Sequence, residues 1–438
     1  MEGTCCAFRT PLPAPRVATA AELNVPNASS RKAVAVTPLW GFRHDAAADA
    51  VLGLGFYPSV AQYQYYVGSL RKAGFRGDVV LAVGHELKPR VAAYLRAQRA
   101  LCYPFRATCG RGSARRRRLL VTPSGCRLGD WYVDGDARGP RPLALARYEM
   151  YETWLREYLP TSYALILDTR DTFFQSDPFA FPELARRRAE AGHDRDLHVF
   201  EEHGHKTIGN CKWNRGWLRC FPGHWSSEMR APVRCSGSTL GGRNAMLAYV
   251  DALLAASDRY MCHKRGIPSD QGYHNFLILS GAHAAAGLNV VSHARGEGVV
   301  HTIGAMNGGD MPMSALGPLD EKWKVRHPVK GYVTNLDGAI SPVVHQWDRW
   351  SKELGRWLKS AFVDDAFVPG REPLYDRPPA LVAFNPATCT DMPWKSKHRS
   401  GCARLRPEHF KWTSSPPESR PATEACCKFG GGIKRPPP

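Results

Sequence analysis

The sequence predicts an α/β protein, a Rossmann-type sandwich with a mixed, mainly parallel central sheet flanked by helices. Three observations predict it. Short apolar runs bounded by polar or small residues recur at Ala33-Val-Ala-Val-Thr37, Asp78-Val-Val-Leu-Ala-Val83 and Tyr163-Ala-Leu-Ile-Leu167, as strands buried on both faces read. Segments of helical period lie between them, and strands alternating with helices assemble as βαβ units. The third run stops at two acids, Asp168 and Asp171. Open α/β sheets bind ligands at such a place, beyond the carboxyl ends of their strands.

In chain order, residues 1–31 are rich in Ala, Pro and polar residues and read as poorly ordered. Ala33–Thr37 is the first strand, followed by a loop through Trp40-Gly41. A helix over 59–72 leads to the strand at 78–83, and a second helix covers 88–100. Residues 101–142 read as a long basic insertion carrying three cysteines, and loops of that length usually serve a function or are disordered. The next helix runs from Leu143 to Tyr158, with Tyr151, Trp154, Leu155 and Tyr158 on one apolar stripe. Arg147 sits on the same stripe, where a guanidinium needs an anionic partner, either a structural carboxylate or a ligand phosphate.

Beyond the acids, Leu197-His-Val-Phe-Glu201 reads as a strand, and Cys235-Ser-Gly-Ser-Thr-Leu-Gly-Gly242 as a small-residue turn opening a helix. Ser269 is an N-cap for a helix beginning Asp270-Gln271. Short strands follow near 288–292, 299–303 and 331–334, then a turn at Asn335-Leu-Asp-Gly338 and a last strand at Pro342-Val-Val-His345. The expected sheet is parallel first and hairpin-like later. A closing amphipathic helix carries Trp350, Leu354, Trp357 and Leu358. The expected organisation is one domain over 32–362, with the basic insertion near 101–142, and a Cys/Pro-rich appendage over 363–438.

With 438 residues, 43% hydrophobic and 23% charged, the chain has an ordinary globular composition. No apolar run approaches the ~18 residues of a membrane helix. The first thirty residues lack a charged start followed by an apolar core, which predicts a cytosolic protein or a chain given without its leader. The thirteen cysteines argue for the secretory route, the Golgi or ER lumen. Ten of them cluster as Cys102, Cys109 and Cys126; Cys211, Cys220 and Cys235; and Cys389, Cys402, Cys426 and Cys427, a grouping that suits disulfides more than zinc because no paired CxxC units occur. The sequon Asn27-Ala-Ser29 fits the same route.

The formal net charge is +19. Ten of the basic residues lie between Glu86 and Leu120, ending in Arg115-Arg-Arg-Arg118. No helix-turn-helix, RRM or zinc-finger pattern accompanies them, so no specific nucleic acid is expected. An anionic glycan, a phosphate-bearing donor or the face of an anionic membrane suits the stretch as well. His203, His205 and Cys211 beside Glu201 and Glu202 form no HExxH, which argues against a zinc hydrolase.

Two carboxylates after one strand repel each other unless a cation or proton joins them. Hard oxygen ligands of this kind suit Mg²⁺ or Mn²⁺. The competing reading is an acidic turn with Asp171 paired to Arg170.

Taken in order, four segments resemble glycosyltransferases of the GT-A fold over roughly 32–349. They are Leu165-Ile-Leu-Asp-Thr-Arg-Asp171 running on to Gln175-Ser-Asp-Pro-Phe179, the turn Ser236-Gly-Ser-Thr-Leu-Gly241, Asp270-Gln271 with Asn275, and Val343-Val-His345-Gln-Trp-Asp-Arg349. The resemblance implies a GT-A-like sandwich and metal-dependent transfer of a sugar from a UDP- or GDP-sugar to a glycan or glycoprotein. It implies Asp168, Asp171 and His345 as ligands of Mn²⁺ or Mg²⁺. Thr37, Arg147, Asp168 and Gly237 would contact the donor, with Arg147 on its diphosphate. Asp270 and Gln271 would lie under the sugar and serve catalysis, and Asp270, Glu201 and Glu202 are candidate bases. The family's Asp-x-Asp is here Asp-x-x-Asp, which makes a metal-bound water or a ribose an alternative partner for Asp168. A catalytically silent protein of the same fold is the competing reading.

Overall fold

The computed structural model describes residues 37–109, 126–128, 141–190, 192–202, 206–221, 225–262, 269–304, 333, 335–337 and 339–349. A 3-10 turn at Leu39–Gly41 precedes β1 (Ala50–Leu54). Ser59 caps α1 (Val60–Tyr63) by accepting the Ala61 N–H at 3.2 Å, and the helix widens into a π-turn over Gln64–Gly68 before α2 (Ser69–Lys72). There follow β2 (Asp78–Gly84), α3 (Pro89–Ala97), β3 (Leu101–Phe105), the short pair β4 (Ala107–Cys109) and β5 (Cys126–Leu128), α4 (Leu143–Leu155), β6 (Tyr163–Leu167) and β7 (Thr172–Phe174). The second half adds α5 (Pro182–Arg188), β8 (Asp196–Glu201), α6 (Lys212–Leu218), β9 (Arg234–Gly242), α7 (Arg243–Tyr260), α8 (Asp270–Leu279), α9 (Ala282–Ala285), β10 (Asn289–His293), β11 (Val300–Thr302) and β12 (Val343–His345).

Seven strands form the central sheet in the order β10-β8-β9-β6-β1-β2-β3. Parallel pairing joins β6, β1, β2 and β3, and again β8 and β10. β9 runs antiparallel to both its neighbours, β6 and β8. The predicted mixed, mainly parallel α/β sandwich is therefore present. Successive residues of β1 and β2 point to opposite faces, as the pleat requires. Leu52 and Val80 join the core under α4, α7 and α8, whereas Val51 and Val79 join the core under α1, α2 and α3. On the first face the buried Arg141 ties the two long helices together, donating to Glu149 Oε1 at 2.8 Å and to Ser257 Oγ at 2.8 Å.

Four sequence expectations are corrected. The strand beside β6 is Ala50–Leu54, and Thr37 is an exposed residue ahead of the 3-10 turn; Ala33 to Val36 lie outside the described residues. An Ala-rich lead-in and Gly53 concealed β1, since Ala and Gly are depleted in strands. The start of the supposed loop 101–142 is β3, an edge strand in which Pro104 is tolerated. The small-residue turn at 235–242 is the buried strand β9. The late strands are not hairpins of the main sheet, because β10 pairs parallel with β8, and β11 and β12 pair parallel with each other in a separate three-stranded sheet completed by β7.

The turn near Asn335 is present at Leu336 and Asp337. The helix expected at 350–358 and the appendage over 363–438 fall outside the described residues, as do most of 331–334 and the core of the basic insertion. Among the described cysteines, Cys220 pairs with Cys262, while Cys102, Cys211 and Cys235 are buried thiols. The local grouping of Cys211, Cys220 and Cys235 is thus not a disulfide cluster. In the strand pair β4–β5, Cys109 lies opposite Cys126 in register.

Candidate metal centre

Asp168 follows the last residue of β6, and its backbone N–H donates to the Gly237 carbonyl of β9 at 2.9 Å. The Thr172 hydroxyl donates back to the Asp168 carbonyl at 2.6 Å and closes the turn. β7 then leaves the main sheet to pair antiparallel with β12, and that register sets Thr172 opposite His345. The Trp347 N–H donates to the Asp171 carbonyl at 3.3 Å. Residues far apart in sequence are brought to one point by strand pairing.

Asp168, Asp171 and His345 present ligating atoms that all lie within 4.8 Å of one another. His345 Nε2 is 3.7 Å from Asp171 Oδ1 and 3.9 Å from Asp168 Oδ2. The histidine and Asp171 side chains are 0% and 3% exposed, and Asp168 is 37% exposed. Asp168 thus forms the mouth of the group, and the other two its floor.

The charges at this point are in conflict. Burial pushes the Asp171 carboxyl up to about 7, with help from Asp168 and Asp348, against the pull of Arg349 and Arg170. Burial also acts to raise Asp168, but Arg147, His345 and Arg349 outweigh it and hold that carboxyl at about 2. His345 is pushed down to about 4 by burial, which wins over the attraction of Asp168. A neutral imidazole between two carboxylates is the ligating form of histidine. Its Nδ1 faces Thr302 Oγ1 at 3.4 Å and Cys235 Sγ at 3.7 Å. Its buried Nε2 has no hydrogen-bond partner among the described residues.

Gly237 makes the group possible: a Cβ there would stand 2.4 Å from Asp168 Oδ2 and 2.9 Å from His345 Cε1. Two carboxylates, one imidazole with an unpartnered nitrogen and a side-chain-free wall fit a divalent cation of the Mn²⁺ or Mg²⁺ class. The dication would neutralise the repulsion between the acids and give Nε2 its partner.

Arg147 stands behind the acids on α4. One Nη donates to Asp168 Oδ1, and the other donates to Asp270 Oδ2 at 2.6 Å. Of the two partners open to Arg147 in the sequence, the structure supplies carboxylates. Asp270 opens α8, where Ser269 Oγ and Asp270 Oδ1 accept the Gln271 N–H at 3.2 and 3.0 Å. Burial raises the Asp270 carboxyl, and Arg147 opposes it. Gln271 donates through Nε2 to Asn214 Oδ1 of α6 at 3.2 Å. Asn275 bonds both the N–H and the carbonyl of Arg234, at 3.1 and 2.8 Å, and so fastens α8 to β9.

The structure therefore gathers Arg147, Asp168, Asp171, Gly237, Asp270, Gln271 and His345 into one region. It does not bring Thr37 there with a strand end. The position at the carboxyl end of β1 belongs to Leu54, whose carbonyl accepts the Thr169 hydroxyl at 2.5 Å; Tyr57 bonds that hydroxyl at 2.8 Å. Arg349, with Nη2 3.4 Å from Asp171 Oδ2, is a site residue that sequence reasoning quoted without a role. Thr302 and Cys235 carry no signal beyond their neighbourhood in strands that reach the site.

No protein-family model matches the chain, and no curated protein sequence matches it either. Among solved structures, the chain is similar to a galactosyltransferase, LgtC, determined in complex with donor and acceptor sugar analogs. The likeness is 11% in sequence identity, covers 73% of this chain and 98% of that one, and has a TM-score of 0.37.

Proposed function

We propose that the chain transfers a sugar from a UDP- or GDP-sugar to a glycan or glycoprotein acceptor, with Mn²⁺ or Mg²⁺ held by Asp168, Asp171 and His345. The observation that carries the reading is the convergence of these three side chains, one with a buried unpartnered nitrogen, beyond the carboxyl end of a central strand. When bound, the cation supplies Lewis-acid stabilisation of the charge that gathers on a departing nucleoside diphosphate.

The protein's own part is electrostatic and positional. Arg147 keeps Asp168 ionised and holds Asp270 close to it. Arg170 and Arg349 add positive charge beside Asp171, at 3.6 and 3.4 Å, where a diphosphate would need it. Asp270 and Gln271 lie next to this centre, on the first turn of α8, and are placed to meet the sugar. Asp270, once freed from Arg147 by an arriving substrate, is a carboxylate that can accept the acceptor's proton. The disulfide Cys220–Cys262 supports a secretory compartment, and the basic stretch before Leu120 is suited to an anionic glycan or membrane face.

The test is a thermal-shift series with UDP- and GDP-sugars, with Mn²⁺ and then with EDTA, on wild type and Asp171→Asn. A ligand at a hundred times its dissociation constant adds about 2.7 kcal/mol of stability. A shift that requires both Mn²⁺ and Asp171 supports the reading and identifies the nucleotide. A folded wild type that responds to no nucleotide sugar overturns it.

A further inference from the structure

Helix α6 has the sequence Lys212-Trp-Asn-Arg-Gly-Trp-Leu218. Trp213 and Trp217 are four residues apart and so share a face. Their rings are 6.2 Å apart and inclined by 33°. Trp213 is 68% exposed, more than the other exposed large hydrophobic side chains described, Phe56, Met261 and Ile340. With the half-buried Trp217 it forms an apolar patch rimmed by the exposed Lys212, Arg215 and Arg219, and an apolar patch with a polar rim marks a contact surface.

The opposite face of α6 is fastened to α8, the helix that opens with Asp270. Asn214 is buried and accepts from Gln271. Gly272, on the first turn of α8, leaves so little room that a Cβ there would stand 3.0 Å from Trp217 Cβ. The two indoles therefore lie immediately outside the turn that carries Asp270 and Gln271. Lys212, Arg215 and Arg219 are exposed on the same short segment, which carries no acid.

We propose that Trp213 and Trp217 form the acceptor platform, stacking on the C–H face of a saccharide ring, with Lys212 and Arg215 selecting a saccharide that bears carboxylate or sulfate groups. This rests on the glycosyl-transfer reading and deepens it by assigning the acceptor's place and charge. Indole rings offer wide, rigid apolar faces at small entropic cost. A sugar ring has an apolar C–H face of that kind and hydroxyls left free for polar contacts. The packing of Trp217 against Gly272, two residues after Asp270, favours a saccharide over a lipid surface, since an acceptor must reach Asp270 while the indoles hold it.

The experiment titrates the full chain, without nucleotide or metal, with uronate-containing oligosaccharides and their neutral counterparts, read by tryptophan fluorescence and on a glycan array. Wild type is compared with Trp213→Ala, Trp213→Phe and the double variant Lys212→Gln/Arg215→Gln, and phosphatidylserine vesicles are tested in parallel. The platform predicts that Trp213→Ala weakens saccharide binding by about tenfold or more, that Trp213→Phe retains most of it, and that the double variant weakens only the acidic series. Absence of saccharide binding to wild type up to about 10 mM overturns the proposal, as does unchanged affinity in Trp213→Ala. Trp213-dependent binding to vesicles alone overturns it in favour of a membrane contact. A nucleotide–Mn²⁺ titration of wild type separates the two readings. Nucleotide binding without saccharide binding removes only the platform, and saccharide binding without nucleotide binding removes only the transfer reading.

Discussion

Gly237 lies against Asp168 so closely that no larger residue fits: its own carbonyl accepts the Asp168 N–H at 2.9 Å, and a Cβ would stand 2.8 Å from the carboxyl carbon. The strand β9 therefore approaches the acid with backbone alone. Gly237→Ala must push Asp168 out of the group or bend a buried strand, and overpacking of this kind costs about 1–3 kcal/mol. The expected result is a lowered melting temperature together with weaker Mn²⁺ binding by calorimetry. An alanine variant that binds Mn²⁺ as wild type does would show that Asp168 is not held by this contact.

Metal binding should depend on pH through Asp171. Burial holds that carboxyl at about 7 in the metal-free protein, above its ordinary 3.8, so its contribution to stability is full below 3.8 and is lost as pH rises through about 7. Ligation needs the ionised form, and each bound cation displaces the proton that remains. Mn²⁺ affinity is expected to rise by up to about tenfold per pH unit below 7 and to level off above it. Calorimetric titrations at pH 6 and pH 8 read this directly; equal affinities, or a pH dependence that survives in Asp171→Asn, contradict the assignment.

Apolar residues at helical spacing made α4 and α7 readable, and the Ser269 cap made the start of α8 readable. Such local patterns failed where tertiary contact overrode propensity. β9 is Arg-Cys-Ser-Gly-Ser-Thr-Leu-Gly-Gly, a poor strand by composition, yet its small residues are what the centre of the sheet requires: a Cβ on Gly241 would meet the Asp196 carbonyl at 2.7 Å. Gly53 conceals β1 for a similar reason, with Thr169 Cγ2 only 2.4 Å from where its Cβ would be. In the site, Asp171 and His345 became linked through the order of segments in a family resemblance, and the register between β7 and β12 is what brings them together. The partners of Arg147 were not legible, since a pairing across 123 residues leaves no local pattern.

Arg147 should be needed for folding as well as for function. Its guanidinium joins Asp168 and Asp270 and is the main opponent of the burial that would otherwise raise both carboxyls. Removing one partner of a buried charge network costs about 3–5 kcal/mol, most of it from the charge left behind. Arg147→Met is expected to lose stability on that scale in urea melts. Arg147→Met/Asp270→Asn should recover part of this, because the more deeply buried of the two stranded carboxylates is gone. A double variant less stable than the single would show that the two residues do not act as a pair.

Acid should destabilise the fold through two buried histidines that are not among the metal group. His198 stacks on His293 with Nδ1 2.9 Å from its Nε2, and burial, then His293 and Arg187, push His198 down to about 3. His274, fully buried, bonds the Tyr249 hydroxyl at 2.7 Å and is pushed down to about 3 by burial, then by Arg234. Both folded values lie below the unfolded 6.5. The unfolded chain therefore binds protons first as pH falls, and the stability held by the neutral rings is full above 6.5 and lost on the way down towards about 3. Each contributes a slope of about 1.4 kcal/mol per pH unit within that window. Urea melts between pH 7 and pH 4.5 should show stability falling, with a shallower fall in His198→Gln. Because Asp171 works in the opposite sense over the same range, the comparison with the variant decides: a fall as steep in His198→Gln as in wild type would mean that this imidazole is charged or solvated in the folded protein.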